Sequence, residues 1–503
     1  MRRGGRQSDG ESPREDLFEE IPPDYRLKLE ANTKKAMEFK MESCFRPHMR
    51  AFHLSWTSFL IAFTAWFAFV PLGPSVKESL NLTKSEMLKA RLYSVGSTIG
   101  ARILIGPIMD MYGVRIGQAG LLAFAAIPTL CAGFIQDFTD FLIVRSLIGV
   151  VGATFVGCQF WCMTMFHDNV VGSVNAISGG WGNLGTGLAR AVMLTVYWTN
   201  LSIPGCDKEC AWRNAFWVPA LALLIAAYCV YFHGDDSPQG RKWKKITDRQ
   251  TSSMILIDTI SNPQSWLLFL QYAACFGVEL HVNASISEYF YERFGASLGV
   301  ATLIGVAFSL TNLFARALGG IFSDYFYRIN GFKGRRLLQI GLTVGEGFLL
   351  IIFSLIDIFP VAVCFLLIFS IFVQAAEGST FGIVPHVDRR HSGAVSGIVG
   401  AGGNVGAVLC SLLTVAVGSN SEAYFYIGFI VFGIGLLGYF IDVPDPVRQK
   451  RLPRRGGKAT GEWRRRDDVV SVPSISKDNK IACQDVEEMR VRNESTSVPA
   501  RRI

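Results

Sequence analysis

Apolar residues along this chain do not alternate with polar ones at a strand period; they gather into runs of about 20 separated by short polar breaks. Against a hydrocarbon core of about 30 Å, these runs predict membrane-spanning helices near residues 51–73, 90–111, 115–135, 141–164, 171–198, 213–233, 265–290, 298–324, 336–357, 360–384, 393–417 and 422–442. A polar stretch with Arg241, Lys242, Lys244 and Lys245 divides the twelve into six and six. The predicted organisation is an N-terminal segment (1–50), a six-helix half (51–233), a central loop (234–264), a second six-helix half (265–443) and a tail (444–503).

Basic residues in the short loops set the orientation. The central loop, the loop from Arg328 to Arg336 and the Arg389-Arg390 pair fall on one side with both termini, and the positive-inside rule makes that side cytoplasmic. The opposite side then receives Cys206, Cys210 and two glycosylation acceptor patterns, Asn81-Leu-Thr83 and Asn200-Leu-Ser202, whose use stays open.

Composition agrees with a chain dissolved in lipid. Half of the 503 residues are hydrophobic and only 18% are charged, with 37 Phe and 50 Gly, and the mean hydropathy is +0.30; a soluble domain carries more charge. The net charge of +8 would suggest a polyanionic partner until it is located: residues 444–503 hold fifteen Lys and Arg against nine Asp and Glu, so most of the excess lies in one tail and no nucleic-acid partner is implied. That tail has no apolar pattern and reads as a disordered cytoplasmic segment, with Ser471, Ser474 and Ser476 as modifiable positions. The first fifty residues mix eleven basic and ten acidic side chains without an apolar run, which predicts no cleavable signal peptide. The cysteines, such as Cys131, Cys158, Cys162 and Cys275, sit singly in apolar segments. No metal spacing, nucleophile pattern or phosphate loop appears, so neither an enzyme nor a cofactor is expected.

The two halves repeat. Arg102 lies eight residues before Asp110 in Gly106-x-x-x-Asp110, and Arg316 eight before Asp324 in Gly320-x-x-x-Asp324, an offset of 214 residues. The pattern Gly-x-x-Gly-Asn-x-Gly occurs at Gly179, Gly182, Asn183 and Gly185 and again, 221 residues on, at Gly400, Gly403, Asn404 and Gly406. Related halves predict a substrate site on the axis between them.

Asp110 and Asp324 end their helices, because basic loops follow directly; eight residues back is about 12 Å deeper, near the membrane midplane. An arginine there costs about 2.5–3.5 kcal/mol to insert and must face the interior. One reading pairs each with an acid, such as Glu279 on the seventh helix or Glu346 on the ninth. The other takes the equivalence of the two positions as the decisive fact. Both arginines then face one cavity and repel each other until a small planar anion, matched to the guanidinium fork, relieves them. Gly179, Gly182 and Asn183 share one helix face, which suits close packing. Packing alone does not need the asparagines, and Asn183 and Asn404 have amides to offer a substrate oxygen.

Five stretches carry a resemblance: Arg46-Pro-His-Met-Arg-Ala-Phe-His-Leu-Ser-Trp56, Ser178-Gly-Gly-Trp-Gly-Asn-Leu-Gly185, Phe276-Gly-Val-Glu-Leu280, Phe314-Ala-Arg316 and Gly400-Ala-Gly-Gly-Asn404. Over residues 46–443 the chain resembles the nitrate/nitrite porter family of the major facilitator superfamily, and the eukaryotic high-affinity transporters of plants and algae more than the bacterial ones. The resemblance implies an all-α membrane protein of twelve helices in two pseudo-symmetric halves, working by alternating access. It further implies that Arg102 and Arg316 clamp nitrate or nitrite, that Asn183 contacts it beside the Gly179 and Gly403 faces, and that Tyr272 and Phe276 line the site. Phe67 and Phe69 are weaker candidates for its walls. Plasma-membrane location, proton symport and an accessory membrane subunit, which plant relatives often require, belong to the same expectation. The central loop departs from the long insert of fungal relatives, and Arg190 puts a charge on the fifth helix where a neutral residue is expected. An exchanger of nitrate for nitrite and a nitrate sensor are the rival readings.

Import of an anion against a negative interior is opposed by about 2.3 kcal/mol per charge per 100 mV, so at least two protons per nitrate are needed to reverse the sign. The carboxylates available inside the helices are Glu279, Glu346 and Glu377. Glu279, two turns beyond Tyr272, ranks first as proton carrier and Glu377 is the next candidate; a salt bridge from Glu279 to an arginine is the alternative.

Overall fold

In hydrocarbon every backbone N–H and C=O must be satisfied within the segment that carries it, and the apolar runs accordingly fold as helices. The computed structural model describes residues 22–241, 243 and 251–443, all within one unit, Met1–Gln449. Among the described residues there is no β-strand, only three isolated bridges. Eleven helices have the length and hydropathy to span a membrane: α1 (His48–Ser79), α2 (Lys84–Tyr112), α3 (Val114–Phe134), α4 (Phe138–Met165), α6 (Lys208–His233), α7 (Pro263–Phe294), α8 (Gly299–Asn330), α9 (Phe332–Leu355), α10 (Phe359–Val387), α11 (Ser392–Val417) and α12 (Asn420–Phe440). The twelfth segment, α5, comprises Val171–Asn183 and Gly185–Leu201. Its glycines, asparagines and Arg190 lower its hydropathy, although its position completes the six-plus-six arrangement.

Three departures from the sequence reading have local causes. The first span continues to Ser79 after a break at Phe67 and Ala68. The stretch 234–264, expected as a polar loop, contains the short helix Ser252–Ile260, which buries Ile255 and Thr259 and packs against α2 and α11. Asn200, an acceptor candidate, instead donates its side-chain amide to the Ala211 carbonyl at 3.1 Å. Lys242, Lys244, Lys245 and the tail serines lie outside the described residues.

The repeated Gly-x-x-x-Asp motif latches the two halves at one end. Asp110, at the end of α2, accepts from the backbone N–H of Gly393 and Ala394 at 3.0 and 2.8 Å, capping the start of α11. Asp324, at the end of α8, accepts from Gly172 and Ser173 at 3.0 and 2.6 Å and caps the start of α5. Each carboxylate thus meets the positive end of a helix from the other half. The glycines make that approach possible: a Cβ on Gly106 would lie 2.3 Å from the Gly393 carbonyl oxygen, and one on Gly320 2.3 Å from that of Gly172. Arg389 and Asp168 add a cross-half ion pair at 2.6 Å. Toward the other end, residues of both halves line a cavity of about 330 Å³.

The two latches are unequal. Asp324 also holds Arg335 at 2.7 Å, both fully buried, so Asp324→Ala leaves a buried cation without a counter-charge, a loss of about 3–5 kcal/mol. Asp110→Ala removes an acceptor from two N–H groups, worth about 1–3 kcal/mol. Thermal unfolding of the purified variants is expected to show the larger fall for Asp324→Ala; equal midpoints would contradict the assignment.

Candidate functional site

The site is assembled where helices are interrupted. Helix α4 passes through a 3₁₀ turn at Val150–Ala153, α7 through a π turn at Ala273–Gly277 and α8 through a 3₁₀ turn at Thr311–Leu313. Such turns release carbonyls and re-aim side chains, and they gather at functional positions. Arg102 on α2 is fully buried. Its Nε donates to the Gly152 carbonyl, within the α4 turn, at 3.1 Å, and its Nη1 to the Gly400 carbonyl of α11 at 2.6 Å. Its Nη2 has no partner, and no acid is paired with it among the described residues.

Arg316, two residues past Phe314 where α8 resumes, is equally buried. Nη1 donates to the Glu377 carboxylate of α10 and Nη2 to the Tyr272 hydroxyl at 3.1 Å, while Nε has no partner. The acid paired with this arginine is therefore Glu377, neither Glu279 nor Glu346. Glu279 is occupied instead by Asn312 Nδ2 at 2.7 Å and Gln374 Nε2 at 3.5 Å. Glu346 is fully buried, and neither of its oxygens has a hydrogen-bond partner among the described residues.

One aromatic ring unites the two arginines. The guanidinium carbon of Arg102 lies 4.9 Å from the Phe155 centroid and that of Arg316 5.6 Å from the same centroid, so they are no further apart than the sum of those distances. Tyr272 and Phe276, one turn apart across the π turn, stack at 5.2 Å, and both rings lie nearly parallel to that of Phe155. These π faces hold both cations in a space without water-like screening. Phe67 and Phe69 do not form these walls: Phe67 packs on Phe63 and Trp66, and Phe69 on Phe141 and Phe216. Phe155, which does, was invisible in the sequence among so many phenylalanines; its one signal is Gly152, three residues before it.

The glycine motifs do two jobs. A Cβ on Gly179 would lie 2.9 Å from Arg316 Nε, so the guanidinium rests against bare backbone there, while Gly400 borders Phe155 and Arg102. Gly182 and Gly403 pack instead against rings, where a Cβ would come within 1.7 Å of Phe59 and 2.4 Å of Phe276. Asn183 and Asn404 are buried with both amide atoms unpartnered among the described residues, an arrangement that native interiors rarely leave without a purpose.

Comparison with known proteins gives the family. The Major Facilitator Superfamily pattern matches residues 55–387 and 268–481. The Arabidopsis thaliana protein named high affinity nitrate transporter 2.5 is 40% identical over 396 residues, covering 78% of each chain. Nitrate transporter 2.1 of Chlamydomonas reinhardtii is 36% identical over 443 residues, covering 85% of this chain and 81% of its own. The chain belongs to the high-affinity nitrate transporter family of the major facilitator superfamily. It is a multi-pass membrane transporter and not an enzyme. The nitrate/nitrite transporter NrtP of a Picosynechococcus species is a more distant relative, 27% identical over 72% of this chain and 84% of its own. Among solved structures the E. coli fucose:proton symporter superposes with a TM-score of 0.61 at 15% identity, covering 79% of this chain and all of that one, a likeness of fold.

For a transporter of this family the ring contacts at Gly182 and Gly403 yield a test. Gly182→Leu and Gly403→Leu displace Phe59 and Phe276, so uptake is expected to fall at least about tenfold while membrane insertion persists. Surface labelling and uptake, measured together, check this; normal uptake would mean that neither face is tightly packed.

Proposed function

We propose that the protein carries nitrate, and nitrite with it, across the plasma membrane together with protons, by alternating access at the two-arginine site. The observation that carries this reading is the charge count. Two fully buried guanidiniums face one ring, and among the described residues only Arg316 is paired with an acid, Glu377, so Arg102 has no direct counter-charge. A monovalent planar oxyanion supplies one. The free Nη2 of Arg102 and Nε of Arg316 are the N–H groups left for its oxygens, with the amides of Asn183 and Asn404 as further donors.

The same geometry couples protons to the anion. Ionised Glu377 competes with nitrate for Arg316; once protonated it no longer satisfies the guanidinium, which then turns to the anion. Glu279, buried against Asn312 and Gln374, hands the proton on. The sequence ranking is thereby reordered, with Glu377 as the acid that senses the substrate and Glu279 behind it. The latched end, near Arg115 and the Arg328 to Arg336 loop, is the cytoplasmic one in this reading, and the Cys206–Cys210 disulfide at the other end suits an oxidising exterior.

Arg102→Lys and Arg316→Lys keep the charge but lose the planar fork, and the affinity for nitrate is expected to fall about 10- to 100-fold. Isotopic nitrate uptake into a host lacking its own carrier measures it; near-normal affinity in both variants would refute the clamp. Current recording tests the coupling: Glu377→Gln and Glu279→Gln are each expected to abolish the dependence of the nitrate-evoked inward current on external pH. Unchanged pH dependence in both would place the proton elsewhere.

A further inference from the structure

The cavity toward the unlatched end carries chemistry that the central site does not use. Three arginines line its 330 Å³: Arg91 on α2, Arg145 on α4 and Arg190 on α5, and no Asp or Glu lines it. Arg145 is 8% exposed; its Nη1 donates to the Trp66 carbonyl at 3.3 Å and its guanidinium lies 5.3 Å over the Phe69 ring, and neither contact supplies a counter-charge. Arg91 and Arg190 make no hydrogen bond or ion pair with any described residue, and Arg91 is near enough to repel both Arg145 and a protonated His281. Three cations without counter-charges lining one cavity raise the local concentration of small anions.

The position of this space is as informative as its charge. Thr186, Leu280 and Val408 line it, and they stand one turn beyond Asn183, Phe276 and Asn404. The cavity therefore lies on the same axis, about one helical turn beyond the asparagine amides and about two beyond Gly179, Tyr272 and Gly400, which touch the guanidiniums. We propose that it is a second anion-binding site, an outer station for small monovalent oxyanions that fills before the central clamp. The order of filling rests on the central reading; the outer binding itself does not.

Arg190 and Arg91 are exposed side chains, so their replacement leaves packing intact. In membranes carrying Arg190→Cys, an anionic methanethiosulfonate is expected to react about three- to tenfold faster than a cationic one of similar size. Sodium nitrate is expected to slow it, with and without Arg102→Lys to disable the central site. Wild-type chain, with exposed Cys44, Cys131 and Cys364, supplies the background, and Arg91→Cys replaces Arg190→Cys if the latter fails to reach the membrane. In uptake assays Arg190→Gln is expected to raise KM for nitrate by about three- to tenfold with little change in Vmax, and the cationic adduct on Arg190→Cys to restore it. Equal reagent rates with no protection by nitrate would overturn the outer site, as would protection that vanishes with Arg102→Lys. Protection that persists in a protein whose wild type carries no nitrate would uphold the outer site and reject the central function instead.

Discussion

The structure is organised around a single electrostatic burden: two permanently charged guanidiniums held close together in a dry interior. A buried ion needs partners, and hydrocarbon supplies none. The broken helices follow from that need. The 3₁₀ turn in α4 frees the Gly152 carbonyl for Arg102, Gly400 offers another from α11, and bare backbone at Gly179 lets Arg316 lie flat against α5. Phe155 completes the arrangement with a π face toward both cations. Among the described residues only Arg316 receives a carboxylate, and Arg102 is left without a direct counter-charge.

Duplication supplies the machinery around this charge. One motif gives each half an arginine at depth and an aspartate at the helix end, and the aspartates cap α11 and α5 across the divide. The same two helices bear the Gly-x-x-Gly-Asn-x-Gly motifs, so the candidate site and the latch sit on shared rods. A helix that shifts when its cap is released also shifts Asn183 or Asn404. In the proposed mechanism that linkage ties the anion site to the latch.

The repeat made much of this legible. Arg102 and Arg316 emerge from their common offset alone, because depth along a helix can be counted in residues. Azimuth cannot be counted so well, which is why the partner of Arg316 was sought in Glu279 or Glu346 when Glu377 on α10 faces it. Phe155 had no pattern to distinguish it from a lipid-facing ring, and Phe67 and Phe69, credited with a place at the arginines, pack instead on Phe63, Trp66, Phe141 and Phe216. The nine residues of Ser252–Ile260 were too few, and too near a charged run, to register as a helix. Arg190 looked anomalous on α5 because a sequence cannot display the cavity that accommodates it.

The most direct measurement is a structure of the protein saturated with nitrate in lipid nanodiscs. The account requires planar density between Nη2 of Arg102 and Nε of Arg316, against Phe155 and within hydrogen-bonding distance of the Asn183 or Asn404 amide. Nitrate bound elsewhere, with those two N–H groups still without a partner, would contradict it.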